Sequence, residues 1–82
     1  MVQELIKATE EQTLEFLVSE TGLSFNEVRA KLDDPTSIDE MVGYVIDAIV
    51  REVTIYEADP ENNSKDRIFL AENVSLYLDG LR

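Results

Sequence analysis

Ser37-Ile38-Asp39-Glu40-Met41-Val42-Gly43-Tyr44-Val45-Ile46-Asp47-Ala48-Ile49-Val50-Arg51-Glu52-Val53-Thr54-Ile55-Tyr56 is the stretch on which the fold turns. Ile38, Met41, Val42, Val45, Ile49, Val53 and Tyr56 recur at helical spacing, so they share one face of a helix. Ile46, Val50 and Ile55 widen that face until the helix is apolar almost all round, as a central helix should be. Ser37 to Glu40 reads as a capping box, in which the serine hydroxyl and the carboxylate three residues on satisfy each other's backbone amides. Gly43 inside such a helix costs about 1 kcal/mol relative to Ala. That cost points either to a neighbour packed closely against it, which is the expectation, or to nothing special.

Working outward, Asp33-Asp34-Pro35 stops the preceding segment, because a residue before proline avoids helical geometry. That segment opens on a second box, Ser24 to Glu27, and is expected to bury Phe25, Val28 and Leu32. Before it, Val2, Leu5 and Ile6, then Leu14, Leu17 and Val18, predict a first helix over roughly residues 2 to 20. Thr9 to Gln12 also reads as a capping box, which would make residues 2 to 8 a separate turn or a lead-in. Gly22 supplies the left-handed position that ends this helix. On the other side, residues 57 to 66 form the one obvious loop, with Pro60 and Asn62-Asn63 as breakers. Ser64 is placed to cap a last helix running to Asp79, with Leu70, Val74, Tyr77 and Leu78 on its face. Gly80 terminates it and Leu81 is expected to fold back. The expectation is an all-α, four-helix domain over residues 1 to 82. The alternative is an α+β arrangement in which Val53 to Tyr56 and Val74 to Leu78, rich in β-branched and aromatic residues, form a C-terminal hairpin.

Composition narrows the chemistry. Lys and Arg number 7 against 18 Asp and Glu, a formal charge of -11, with hydrophobic residues at 44% and no His, Cys or Trp. A His- or Cys-based nucleophile, an imidazole or thiolate metal site and a disulfide framework are all excluded. The longest apolar stretch, Met41 to Val50, is broken by Asp47 and is too short to span a membrane. The start Met-Val-Gln-Glu has neither basic nor cleavable apolar character, so a cytoplasmic location is expected. Charge this negative repels nucleic-acid phosphate and anionic membranes and favours a basic partner.

Three constellations invite chemical readings. Asp59, Glu61, Asn63 and Asp66 crowd the loop, but an EF-hand beginning at Asp59 would need Gly where Ser64 sits and a bidentate Glu where Leu70 sits. No metal site is expected there. The pairs Asp33-Asp34 and Asp39-Glu40 are accounted for without catalysis, the latter by the favourable dipole of a helix start. No glycine-rich loop cradles a phosphate, since Gly22, Gly43 and Gly80 stand alone. The chain therefore reads as a non-enzyme without cofactor. Its partner is a basic protein or a second copy of itself. The expected contact residues are Asp39, Glu40, Tyr44, Asp47 and Tyr56, apolar anchors ringed by carboxylates.

Three family resemblances accompany this reading. Thr36-Ser37-Ile38-Asp39 resembles the Asp-Ser-Leu-Asp pattern of acyl carrier proteins, which would imply an acyl-carrier-like domain modified with phosphopantetheine at Ser37. Thr21-Gly22-Leu23, Val28-Arg29 and Asp34-Pro35 are similar to the Thr-Gly-Leu, Leu-Arg and Asp-Pro spacing of a small alphaproteobacterial helical family of unknown function. Ile55-Tyr56, Asp59, Ser64 and Ile68 resemble the third- and fourth-helix region of the nuclease-colicin immunity proteins. That last resemblance implies a tight inhibitor of a basic toxin, with Tyr56 among its contacts. A nucleic-acid mimic that intercepts a basic protein through charge is a related alternative.

Overall fold

The computed structural model describes residues 6–61 and 63–82, and among them there are four α-helices and no strand. They are α1 (Glu10–Thr21), α2 (Phe25–Asp33), α3 (Ile38–Ala58) and α4 (Ser64–Asp79). The hairpin alternative is thereby excluded: Val53 to Tyr56 continue α3, and Val74 to Leu78 belong to α4.

α1 begins where the Thr9 box forms. Gln12 donates its amide to Thr9 Oγ1 at 3.1 Å, and Thr9 donates its own to Gln12 Oε1 at 2.9 Å. The helix predicted from residue 2 is therefore corrected to a start at Glu10, with Ile6 to Thr9 non-helical. Val2 and Leu5 lie outside the described residues. Ile6 to Ala8 run instead as a strap along α4. The Ala8 amide donates to the Asn73 carbonyl at 3.0 Å and the Ile6 amide to Asn73 Oδ1 at 3.2 Å. Competition explains the departure: once Thr9 and Gln12 close the helix start, upstream amides need other acceptors, and Asn73 supplies them. Gly22 ends α1 at φ 74°, donating to the Val18 carbonyl.

α2 opens on the Ser24–Glu27 box as expected. Val28 and Leu32 are buried, but Phe25 is 42% exposed, with the Arg29 guanidinium 5.8 Å from its ring centre. As the first residue of α2, Phe25 extends past the helix's buried side, and only Val28 and Leu32 turn inward. Asp34 ends the helix in extended geometry ahead of Pro35.

The box expected at Ser37 does not form. Ser37 is already in a helical conformation and makes no capping bond. Its hydroxyl donates to Asp34 at 3.2 Å, and Asp34 also accepts from the Thr36 amide and hydroxyl at 3.0 and 2.8 Å. An aspartate two residues before the pair is the stronger local acceptor, so it organises the turn. The Thr36 hydroxyl, then its amide, hold the Asp34 carboxyl below the usual carboxylate range.

At α4 the expected Ser64 cap is replaced by Asn63, which makes no side-chain capping bond, while Ser64 becomes the buried first residue of the helix. Gly80 ends α4 in right-handed geometry, and Leu81 does not fold back but stays 38% exposed. The space around Gly43 is open: a Cβ there would meet nothing within 4 Å, so the expected close packing is absent.

One core joins the four helices: Leu14, Phe16 and Leu17 from α1, Val28 and Leu32 from α2, Met41, Val45 and Ala48 from α3, and Ala71, Val74 and Leu78 from α4. The α3–α4 pairing is the most extensive helix contact, and α1 and α2 pack on that hairpin.

Candidate functional site

Two features rise above the background of a solvated helical surface, an ionic cluster inside the bundle and an apolar face outside it.

The cluster lies where α1, α3 and α4 meet. Arg51 donates through both terminal nitrogens to Glu20, at 3.0 and 2.9 Å. Arg67 donates through Nε to Glu52 at 3.1 Å and through Nη2 to Glu20 at 3.2 Å. The carboxylates are the buried partners and the guanidiniums are half exposed. Burial is the strongest influence on Glu52 and pushes its carboxyl up. Bonds from Ser64, Arg67 and Arg51 oppose it and together hold the carboxyl below its ordinary value. The bond to Glu20 leads the effects that push the Arg51 guanidinium up. Two carboxylates here face two fixed cations. Each carboxylate oxygen that accepts here is matched by a guanidinium or hydroxyl donor of a neighbouring helix. The cluster is a tie between helices.

The outer face is read from phase. At about 100° per residue, Ile46, Val50 and Val53 lie on one stripe of α3. They are 54%, 61% and 36% exposed. α3 therefore carries two seams. Ile38, Met41, Val45, Ala48 and Glu52, spaced three and four apart, are buried in the bundle. Val42, Ile46, Ile49, Val53 and Tyr56, spaced four and three apart, run beside them and alternate, with Val42, Ile49 and Tyr56 half-buried and Ile46 and Val53 exposed. On α4, Arg67 and Asn73 turn toward α1 and the strap, which leaves Ile68, Glu72 and Leu76 on the opposite side. The two outward stripes share one side of the hairpin. That side carries no helix among the described residues.

The predicted contact residues scatter relative to this face. Asp39 pairs with Arg82 at 2.9 Å and Glu40 with Lys31 at 3.3 Å, so both have intramolecular partners. Asp47 is exposed, has no ion-pair partner among the described residues and borders Val50 one turn along. Tyr44 is exposed on the other flank, while Tyr56 is half-buried at the end of the outer seam. Twelve residues separate the two tyrosines, about 18 Å along the axis, so they do not share a patch centre. The sequence marks α3 as apolar beyond the need of one small core, which leaves Ile46, Val50 and Val53 open between contact surface and core, and it gives no role to the cluster of Glu20, Glu52, Arg51 and Arg67. The available signal was Glu52, the one charged residue in phase with Met41, Val45 and Ala48.

A shallow groove between α1 and α4 is lined by Gln12, Glu15, Phe16, Ser19, Arg67 and Leu70, with Arg67 committed to the ionic cluster. Among the described residues, no group of three or more Asp or Glu is placed to hold a metal ion, and no helix is long and apolar enough to cross a membrane. No protein-family model matches the chain, and no curated protein or solved structure matches it either.

Proposed function

We propose that this protein is a non-catalytic binding module whose contact surface is the outer face of α3 and α4. A single observation carries the reading: Ile46 and Val50 are more than half exposed in a helix whose other side supplies the core. Contiguous apolar surface of this kind marks interaction sites, whereas single exposed hydrophobes do not. The acidity of the chain, -11 overall, favours a basic protein by steering its approach. The anchors under this reading are Ile46, Val50 and Val53, with Asp47 at their edge.

The test compares two baits, the wild-type chain and an Ile46→Gln/Val50→Gln double variant, in an extract of the source organism. Both replaced side chains are exposed, so helicity and Tm should stay close to wild type. Proteins retained by the first bait and lost by the second carry the reading. Retention indifferent to the double variant overturns it.

A further inference from the structure

We infer that the occupant of this outer face is a basic amphipathic helix of another protein, an inference that rests on the reading just proposed. The geometry comes first. α3 is 21 residues long, about 31 Å, and lies beside antiparallel α4. Two neighbouring helices leave a groove between their ridges that takes a third helix. Here α3 contributes the exposed Ile46, Val50 and Val53, and α4 the exposed Leu76 and the half-buried Ile68. Walls of aliphatic side chains one turn apart fit a helix that presents its own apolar residues at i, i+3, i+4 and i+7.

Charge selects among such helices. The carboxylates at the N-terminal end of α3 have partners in the molecule, because Arg82 reaches Asp39 and Lys31 reaches Glu40. Asp47, Glu57 and Glu72 border the apolar walls and have no ion-pair partner among the described residues. Glu57 stands one turn beyond Val53, and Glu72 stands between Ile68 and Leu76. Lys65 is the one cation of this face outside any ion pair among the described residues. A second copy would bring the same three carboxylates to the interface, on a chain that itself carries a formal charge of -11. A helix flanked by Lys and Arg supplies the missing counter-charges instead.

The experiment uses the full chain and a fluorescein-labelled synthetic peptide of about 18 residues, Leu and Ile at the helical positions above and Lys and Arg on both flanks. A control peptide keeps the apolar positions and replaces the flanks with Glu and Gln. Fluorescence anisotropy should show binding of the basic peptide and none of the control. Binding should weaken about tenfold in Val50→Gln and in Glu57→Gln/Glu72→Gln. It should be unchanged in Ile55→Gln, an exposed aliphatic on another side of α3, and should weaken with added salt. Equal binding of both peptides, binding of neither, or binding indifferent to Val50→Gln overturns the inference. Sedimentation velocity of the chain alone separates the two levels. A dimer dissolved by Val50→Gln would keep the outer face as a contact surface and reject the basic helix. A monomer that ignores both peptides, with bait results unaffected by Ile46→Gln/Val50→Gln, would reject both.

Discussion

Arg67 donates through Nε to Oε1 of Glu52 at 3.1 Å, across the α3–α4 interface and 15 residues along the chain. The same glutamate is 7% exposed on the seam that otherwise carries Met41, Val45 and Ala48. A charge in that position holds only because it is answered from three directions, by Arg51, Arg67 and Ser64. Breaking a pair of this kind costs more than the pair contributes, since the remaining partner keeps its desolvation.

Glu52→Ala should therefore destabilise the fold by about 2 kcal/mol, below the range for fully buried pairs because the half-exposed guanidiniums rehydrate. Thermal unfolding should fall by roughly 8–16 °C for a chain of this size. Arg67→Ala should cost less, and a double-mutant cycle should return a coupling of about 1 kcal/mol.

Acid should act through the same carboxylate. Its folded pKa is depressed, so its contribution is fully present above the ordinary carboxylate range near 4 and is lost as pH falls through the folded value. Asp34 adds in the same direction. Protonating the other carboxylates relieves self-repulsion and opposes this loss, so the total curve mixes two trends. The difference between wild type and Glu52→Gln isolates one of them. Chemical denaturation from pH 3 to 7 should show that difference constant above about pH 5 and shrinking below about pH 4.

Gly43→Ala should stabilise the protein. The backbone there is helical, nothing stands within 4 Å of the added Cβ, and alanine recovers about 1 kcal/mol of helix propensity. A rise in Tm of about 4–8 °C is expected.

Ser24→Ala and Ser37→Ala begin from similar motifs and should part company. Ser24 closes a formed box, and its loss should cost about 1 kcal/mol. Ser37 donates one exposed bond to Asp34 and caps nothing, so its replacement should change stability by less than about 0.5 kcal/mol. Urea titration of the two variants side by side checks the contrast.

The features readable in the sequence were those decided within a turn of chain. The boxes at Thr9 and Ser24, the left-handed Gly22 and the stop at Pro35 each depend on residues at most three apart and bound the first two helices, while α3 and α4 follow from apolar spacing and the loop between them. Ser37 misled because two local acceptors compete, and Asp34, already in the turn, takes the hydrogen bonds. Phe25 misled for a different reason, and the same reason left Ile46 and Val50 open between core and surface. Periodicity states that a side is apolar but not whether a neighbouring helix covers it. α3 carries two seams, and only the path of α1 and α2 across the hairpin decides which is inside. Glu52 was open to the same pattern, as a charge in phase with the core, but its partners lie on α1 and α4 and no local rule joins them.

The strap at Ile6 to Ala8 gives the molecule a definite mechanical fuse. Two hydrogen bonds to Asn73 join Ile6 and Ala8 to the last helix, so tension applied at Ile6 and Arg82 runs through that clasp and the end of α4 in series and bypasses α1, α2 and α3 until the clasp opens. Stretching would peel Ala8 out of the core and leave the α3–α4 pairing engaged, and the first rupture would lengthen the molecule by only a few residues.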